Sequence, residues 1–153
     1  MTNHNLTIDE FLTPFVADYG AGKHIVTALR IERLDALLRE CVEAQDGAVQ
    51  CAECRALISI EKVFNPDNPV ATAMGLEHLV FSLWHFVHSP WLRSDVAMQA
   101  EQWRFVRAIV DAVERTPRFR ELHLSPALER QIAGLRDHVT WGLKRTSQAR
   151  KPR

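Results

Sequence analysis

Residues 69–88 read PVATAMGLEHLVFSLWHFVH, and this is the most apolar stretch of the chain. No Lys or Arg occurs between Lys62 and Arg93. On a helical wheel with about 100° per residue, the large apolar side chains fill more than roughly a third of the circumference. A helix with such a wide apolar surface is buried by its neighbours. The stretch therefore predicts a central apolar helix over about residues 70–88, with other helices packed around it.

The remaining wedge of this predicted helix is polar and consists mostly of histidine. It contains Glu77, His78, Ser82, His85 and His88. Ionisable side chains are costly at the middle of a bilayer, so the stretch is not typical of a membrane span. We therefore expect no membrane partner.

Helical signals also dominate the rest of the chain. Thr7 and Glu10 form a capping box for a first helix, and Ser125-Pro126 is a cap followed by a first-turn proline for the last helix. Apolar periodicity predicts further helices over residues 23–44 and, less regularly, over residues 50–63.

A regular inner face runs from Val96 to Val113, and Ser89-Pro90 predicts a helical start just before it. Trp84 and Trp103 fall at inner positions, so we expect both in the core. No alternating strand pattern is present. The fold class predicted is therefore all-α, a single-domain bundle of five to seven helices.

The charges balance over the whole chain but are unevenly distributed. The sequence has 19 Lys and Arg residues and 19 Asp and Glu residues. Five of the basic residues and no acidic residue lie in 144–153, so residues 1–143 carry 14 basic and 19 acidic residues, a charge of −5. We therefore predict an all-helical domain over residues 1–143 and a basic, flexible C-terminal tail over residues 144–153.

The predicted tail has two interpretations. Its Lys and Arg side chains suit non-specific contact with nucleic acid phosphates, although it has no aromatic side chain for base stacking. The alternative is a solubilising terminus without a ligand.

Two features predict a cytoplasmic protein. The first residues, MTNHNLTIDEF, have neither the basic nor the apolar segment of a secretory signal. Three cysteines are an odd number, which is typical of reduced thiols in a cytosol.

The histidines of the central helix are candidates for a transition-metal or haem site. His85 and His88 are spaced i,i+3, so they lie close enough on one helix face to share an ion. Glu77 or His78, two to three turns earlier, would orient these ligands or add another. Neutral imidazole binds Zn, Fe or Cu. The alternative is a polar seam in which the imidazoles bond to backbone carbonyls and water.

Cys51 and Cys54 form a C-x-x-C motif. Such a pair serves as a thiol redox couple where a helix N-terminus lowers the pKa of the first thiol, or as half of a zinc site. No second C-x-x-C occurs, so a mixed metal site would combine Cys51 and Cys54 with His85 and His88. The alternative is two helical cysteines that pack as small apolar side chains.

We identify no catalytic motif: the chain has no H-E-x-x-H, no G-x-S-x-G and no phosphate-binding loop. Trp91 and Trp141 do not fit the apolar periodicity, so they are candidates for a partner surface. We therefore expect a small cytosolic regulatory or accessory protein that acts through protein–protein contacts. The alternative is a metal- or haem-binding protein built on His85 and His88, with Cys51 and Cys54 or Glu77 and His78 as helpers.

Overall fold

A computed structural model describes residues 6–117, 119 and 125–150, and these residues form an all-α bundle, which confirms the predicted fold class. Their helices are α1 (Ile8–Gly20), α2 (Ile25–Ala44), a 3-10 turn (Asp46–Ala48), α3 (Ala52–Phe64), α4 (Pro69–Ala73), α5 (Leu76–Phe86), α6 (Val96–Arg115) and α7 (Pro126–Ala149). Within the described residues, β-type pairing is limited to one isolated bridge between Thr7 and Gly75. None of the described helices is both long enough and apolar enough to cross a membrane.

The helix starts follow the capping signals of the sequence. Thr7 Oγ1 accepts a hydrogen bond from the Glu10 N–H at 3.2 Å, as the capping box predicts. Ser125 Oγ accepts one from the Leu128 N–H at 3.2 Å at the start of α7. Each bond pairs an N–H that the first turn of a helix leaves without an intrahelical acceptor.

The single central helix predicted over residues 70–88 is wrong, because the chain breaks there into α4 and α5. Met74 and Gly75 adopt extended conformations between the two helices. The Met74 carbonyl accepts a hydrogen bond from the Ile8 N–H of α1 at 2.9 Å. A tertiary hydrogen bond therefore replaces the helical one at the break. Because α5 ends at Phe86, His88 lies just beyond the helix on which we had placed it.

The α5 helix is nevertheless central, since it packs against α1, α2, α6 and α7. Its buried apolar side chains are Leu76, Leu79, Val80, Leu83 and Phe86. The facing side of α2 is buried at the predicted positions, namely Ile31, Leu34, Leu38 and Cys41. These two faces form the middle of the core.

The two tryptophans that we expected in the core differ. Trp103 of α6 is 1% exposed, as predicted. Trp84 of α5 is 43% exposed, so its predicted core position is wrong. The reason is that the buried face of α5 is narrower than the buried face that we predicted for the longer helix. Trp84 lies just outside this face.

The segment after α5 is not the helix that Ser89-Pro90 predicted. Residues 87–95 form turns and bends. The side chain of Gln102, which is fully buried in α6, donates hydrogen bonds to the carbonyls of Phe86 and Trp91 at 2.9 and 3.2 Å. These bonds fix the chain in a non-helical connection.

The last helix extends into the segment that we predicted as a flexible tail. Residues 144–149 belong to α7, and Arg150 is its C-cap. The basic segment therefore begins within a helix, and its last three residues lie outside the described part of the chain.

Candidate functional site

The two cysteines of the C-x-x-C motif occupy the first turn of α3. Cys51 is the N-cap residue and is exposed, whereas Cys54 lies one turn later and is half-buried. The thiol of Cys54 donates a hydrogen bond to the Cys51 sulfur, and this bond is the largest cause of a lowered pKa at Cys51. The same bond raises the pKa of Cys54. Cys54 is partly buried and packs against the core, as the packing alternative predicts, whereas the exposed Cys51 does not.

The third cysteine shows what an inert thiol looks like in this fold. Cys41 is fully buried in α2, and burial raises its pKa to about 12. Its thiol donates a hydrogen bond to the Ser82 carbonyl at 3.6 Å. Reactivity depends on the thiolate and on access, and the two cysteines differ in access: Cys51 is exposed and Cys41 is buried.

A cavity of about 880 Å³ lies beside the cysteine pair. Its wall includes Cys51 and Cys54 at the start of α3, together with Glu77 and His78 in the first turn of α5. Most of the remaining wall is apolar, and it includes Leu57, Met74, Phe81 and Leu128. A mostly apolar cavity with a few polar groups is the usual form of a small-ligand site.

His78 stands on this wall as a neutral side chain. Burial lowers its pKa, and this outweighs a hydrogen bond with the Val42 carbonyl that acts in the opposite direction. The Nε2 atom of His78 is buried and has no hydrogen-bond partner. A buried polar atom without a partner is unfavourable, so the position of this imidazole carries an energetic cost.

The structure divides the six predicted metal ligands. Cys51, Cys54, Glu77 and His78 border one cavity, but His85 and His88 are not part of its wall. His85 meets the edge of the Phe81 ring, with a centroid distance of 4.9 Å. In the described part of the chain, no three or more His, Cys, Asp or Glu side chains are grouped in a way that could hold a metal ion.

His88 belongs instead to a Trp/His cluster that consists of Trp84, His88, His138 and Trp141. The His88 and His138 rings are stacked, with centroids 4.6 Å apart and planes inclined by 7°. His138 also stacks on Trp141, with a centroid distance of 5.6 Å. Trp84 leans against both histidines.

Each histidine of the Trp/His cluster bonds to a backbone carbonyl. His88 Nδ1 lies 2.6 Å from the Trp84 carbonyl oxygen, and His138 bonds to the Val87 carbonyl. Because a carbonyl only accepts hydrogen bonds, both imidazoles act as donors there. Burial, followed by the charge of His88, lowers the pKa of His138. An imidazole nitrogen binds a metal in the plane of its ring, and two stacked, nearly parallel rings have no such point in common, so this arrangement does not suit a shared metal ion.

The two tryptophans predicted to bind a partner occupy different environments. Trp141 is 51% exposed, and the Arg145 guanidinium lies over its ring, 5.1 Å from the centroid. Trp91 is partly buried and packs against the core. Its carbonyl accepts hydrogen bonds from the side chains of Arg93 and Gln102.

The sequence did not lead us to propose one exposed apolar surface, which lies on α3. We call it the α3 surface; it consists of Ala56, Leu57, Ile60, Val63 and Phe64. The exposed fractions of the last four are 50%, 52%, 76% and 75%. The spacing i, i+1, i+4, i+7, i+8 was visible in the sequence, and it places all five side chains on one helix face. Ile58, on the opposite face, is the buried residue of this helix.

His138 is the second residue that the sequence reasoning missed. It lies three residues before Trp141, and Trp84 lies four residues before His88. Two His/Trp pairs at helical spacing on different segments were a signal for one cluster, but only the contact between α5 and α7 brings them together.

Comparisons of the chain with models of protein families, with curated protein sequences and with solved structures find no significant match.

Proposed function

We propose that this is a cytoplasmic regulatory or accessory protein, and that its α3 surface binds an amphipathic helix of a partner protein. The observation that carries the proposal is the exposure of Leu57, Ile60, Val63 and Phe64, each half or more exposed on one helix face. Single exposed apolar residues are ordinary in soluble proteins, but a contiguous apolar surface is typical of an interaction site.

The cost of leaving this surface in water supports a partner. Complete burial of a Val, Leu, Ile or Phe side chain is favourable by about 1.5–3 kcal/mol. The α3 helix packs mainly against α4. The described part of the bundle therefore leaves this surface uncovered, and a partner molecule would bury it.

The shape of the surface favours a helix as the occupant. An α-helix rises about 1.5 Å per residue, so residues 56–64 span roughly 12 Å, or a little over two turns. Apolar side chains at i, i+4 and i+7 are the pattern with which two helices pack along each other.

Charge favours a partner helix with basic flanks. Lys62 is already paired with Asp46, with a distance of 3.0 Å from Nζ to Oδ2. Arg55 donates a hydrogen bond to the Val49 carbonyl at 2.8 Å. These cations are engaged within the chain, and the carboxylates of Glu53 and Glu61 on the same helix are complementary to a basic partner.

A photo-crosslinking residue at position 64 tests the proposal, with the same residue at position 25 as the matched control. Ile25 is 70% exposed on α2 and Phe64 is 75% exposed on α3, so both probes are equally accessible. The partner captured from position 64 is then identified and purified, and its binding is measured by calorimetry. We expect Val63→Asp to weaken binding by at least roughly tenfold, because a hot-spot side chain is replaced by a charge. We expect Ile25→Asp to change it by less than about twofold.

Three results would each overturn the proposal. The first is capture from position 64 that is no greater than capture from position 25. The second is a purified partner whose affinity is the same for Val63→Asp and for the wild type. The third is a captured species that proves to be a second copy of this chain, with a dimer mass in light scattering that Val63→Asp abolishes.

Metal binding is a second candidate function: Cys51, Cys54, Glu77 and His78 border one cavity, although no three described His, Cys, Asp or Glu side chains are grouped in a way that could hold an ion. Elemental analysis and an absorbance spectrum of the purified protein test it. Bound metal in a fixed ratio, lost in Cys54→Ala, would support this candidate. A colourless protein without metal, even after incubation with zinc, would remove it.

A further inference from the structure

Cys51 and Cys54 have the positions that a redox-active dithiol needs. Cys51 is the exposed N-cap of a 13-residue helix, and Cys54 is half-buried one turn later. An attacking thiol must be accessible, whereas a resolving thiol needs only to reach the sulfur of the first. Both residues also line the same cavity.

The groups around the two cysteines also favour Cys51 as the attacking thiol and Cys54 as the resolving thiol. The Cys54 thiol and the backbone N–H groups of Cys54 and Glu53 lower the pKa of Cys51, although the charge of Glu53 acts in the opposite direction. The contact with Cys51 raises the pKa of Cys54. Access makes Cys51 the attacking sulfur, because Cys51 is exposed at the helix N-cap whereas Cys54 is half-buried.

We propose that Cys51 and Cys54 carry out thiol–disulfide exchange with a disulfide whose apolar substituent enters the adjoining cavity. The Cys51 thiolate attacks one sulfur of the substrate disulfide, forms a mixed disulfide and releases the other sulfur as a thiolate, which takes up a proton. Cys54 then loses its proton and attacks the Cys51 sulfur. An internal disulfide forms, and the second substrate sulfur leaves as a thiol.

The exchange is balanced without a further reactant. One substrate disulfide is reduced to two thiols, and the two thiols of the protein are oxidised to one disulfide with transfer of two hydrogen atoms. Reversal by a dithiol restores the starting state. No metal and no cofactor takes part in either direction.

The cavity predicts which disulfides react fastest. Leu57, Met74 and Phe81 give it apolar walls, and Glu61 and Glu77 place two carboxylates on it. An uncharged aromatic disulfide fits these walls, whereas an anionic one meets like charge. The neutral probe 4,4′-dithiodipyridine should therefore react faster than the dianionic probe 5,5′-dithiobis(2-nitrobenzoate).

The experiment uses the full chain, reduced and freed of metal with a chelator. It is incubated with 4,4′-dithiodipyridine, and intact mass and peptide mapping follow the cysteines. We expect two released thiopyridone molecules for each chain and a mass loss of about 2 Da from a Cys51–Cys54 disulfide. Cys41 is the internal control and should stay reduced in the native protein.

Two variants separate the two steps. In Cys54→Ser the mixed disulfide on Cys51 should accumulate, because the resolving sulfur is absent. In Cys54→Ala the alkylation of Cys51 by iodoacetamide near pH 7 should slow by roughly threefold to tenfold, because the hydrogen bond that favours its thiolate is lost. Both positions are at least partly exposed, and circular dichroism establishes that each variant is folded.

Several results would overturn this inference. One is alkylation of Cys51 at the same rate in Cys54→Ala and in the wild type. Another is a mixed disulfide on wild-type Cys51 that never resolves to the internal disulfide. A third is faster reaction with the dianionic probe, which would remove the assigned substrate class. Because these assays use small disulfides, their outcome does not depend on whether a partner binds the α3 surface.

Discussion

The α3 and α6 helices are both amphipathic, and they differ in what covers their apolar side chains. Nine of the 20 residues of α6 are buried, whereas Ile58 is the one buried residue among the 13 of α3. The α6 helix lies against α2, α5 and α7, but α3 packs mainly against α4. Apolar periodicity therefore predicts that a helix forms, and it does not by itself predict that the bundle covers it.

The difference also separates stability from function in this molecule. The core contacts of α6, including Trp103 and Phe105, hold the fold together. The α3 surface and the cysteine pair both lie on a helix that contributes little to the core. Such a helix tolerates substitution, and for this reason functional hypotheses can be tested on it without unfolding the protein.

The largest expected effect comes from a matched pair of isoleucines on these two helices. Ile109 of α6 is fully buried and Ile60 of α3 is 52% exposed. Ile109→Ala should lower the free energy of unfolding by about 2–5 kcal/mol, because it leaves a cavity in the core. Ile60→Ala should lower it by no more than about 0.5 kcal/mol, as exposed substitutions do. Urea unfolding of both variants measures the difference, and equal losses would contradict the contrast between the helices.

A smaller effect is expected at the contact between α6 and α7. A Cβ atom at Gly142 would overlap the indole ring of Trp103, whereas a Cβ at Gly134 of the same helix would meet nothing within 4 Å. Gly142→Ala should therefore destabilise the protein by about 1–3 kcal/mol through overpacking.

Gly134→Ala is the matched control for this prediction. It should stabilise the protein by roughly 0.5–1 kcal/mol, because Ala has the higher helix propensity. Differential scanning calorimetry of both variants gives the sign directly. Stabilisation by both substitutions would show that Trp103 shifts easily, and the close packing between α6 and α7 would then not be a source of rigidity.

The sequence predicted the parts of the fold that depend on local signals. Thr7 and Ser125 cap their helices as expected, and the apolar positions of α2 are buried. Local signals fail where a distant group competes for the backbone. The hydrogen bond from Ile8 divides the central helix at Met74, and Gln102 holds the segment after α5 out of a helix.

The candidate site was predictable only in part, for a related reason. Cys51 and Cys54 are neighbours in sequence, so the C-x-x-C motif identified them at once. His138 lies 50 residues from its stacking partner His88, and no local sequence pattern predicts a contact between residues so far apart. The cavity beside the cysteines is likewise built from separate segments, including the starts of α3, α5 and α7, so it becomes visible only in the folded chain.

The smallest expected effect tests the Trp/His cluster, at the edge of the well-packed region around Trp103. Burial and the charge of His88 lower the pKa of His138 from its ordinary value of 6.5. In the unfolded chain His138 takes up its proton at the ordinary value, while the folded chain does so only at lower pH. As the pH falls below about 6.5, the unfolded state therefore binds more protons than the folded state. The free energy of unfolding decreases over this range, until the pH is below the lowered pKa of the folded protein.

His138→Gln should remove this contribution, because an amide does not titrate and its N–H can still donate to the Val87 carbonyl. The free energy of unfolding is measured by urea unfolding at about pH 7.5 and about pH 5.5, which lie on either side of the ordinary histidine pKa. Between these two pH values, the variant should lose less stability than the wild type. The raised pKa values of Asp35 and Glu43 favour folding as the pH falls, so the difference between variant and wild type is the informative quantity. An identical decline in both proteins would mean that His138 is solvated as in the unfolded chain. In its exposure to solvent, the Trp/His cluster would then resemble the α3 surface more than the buried face of α6.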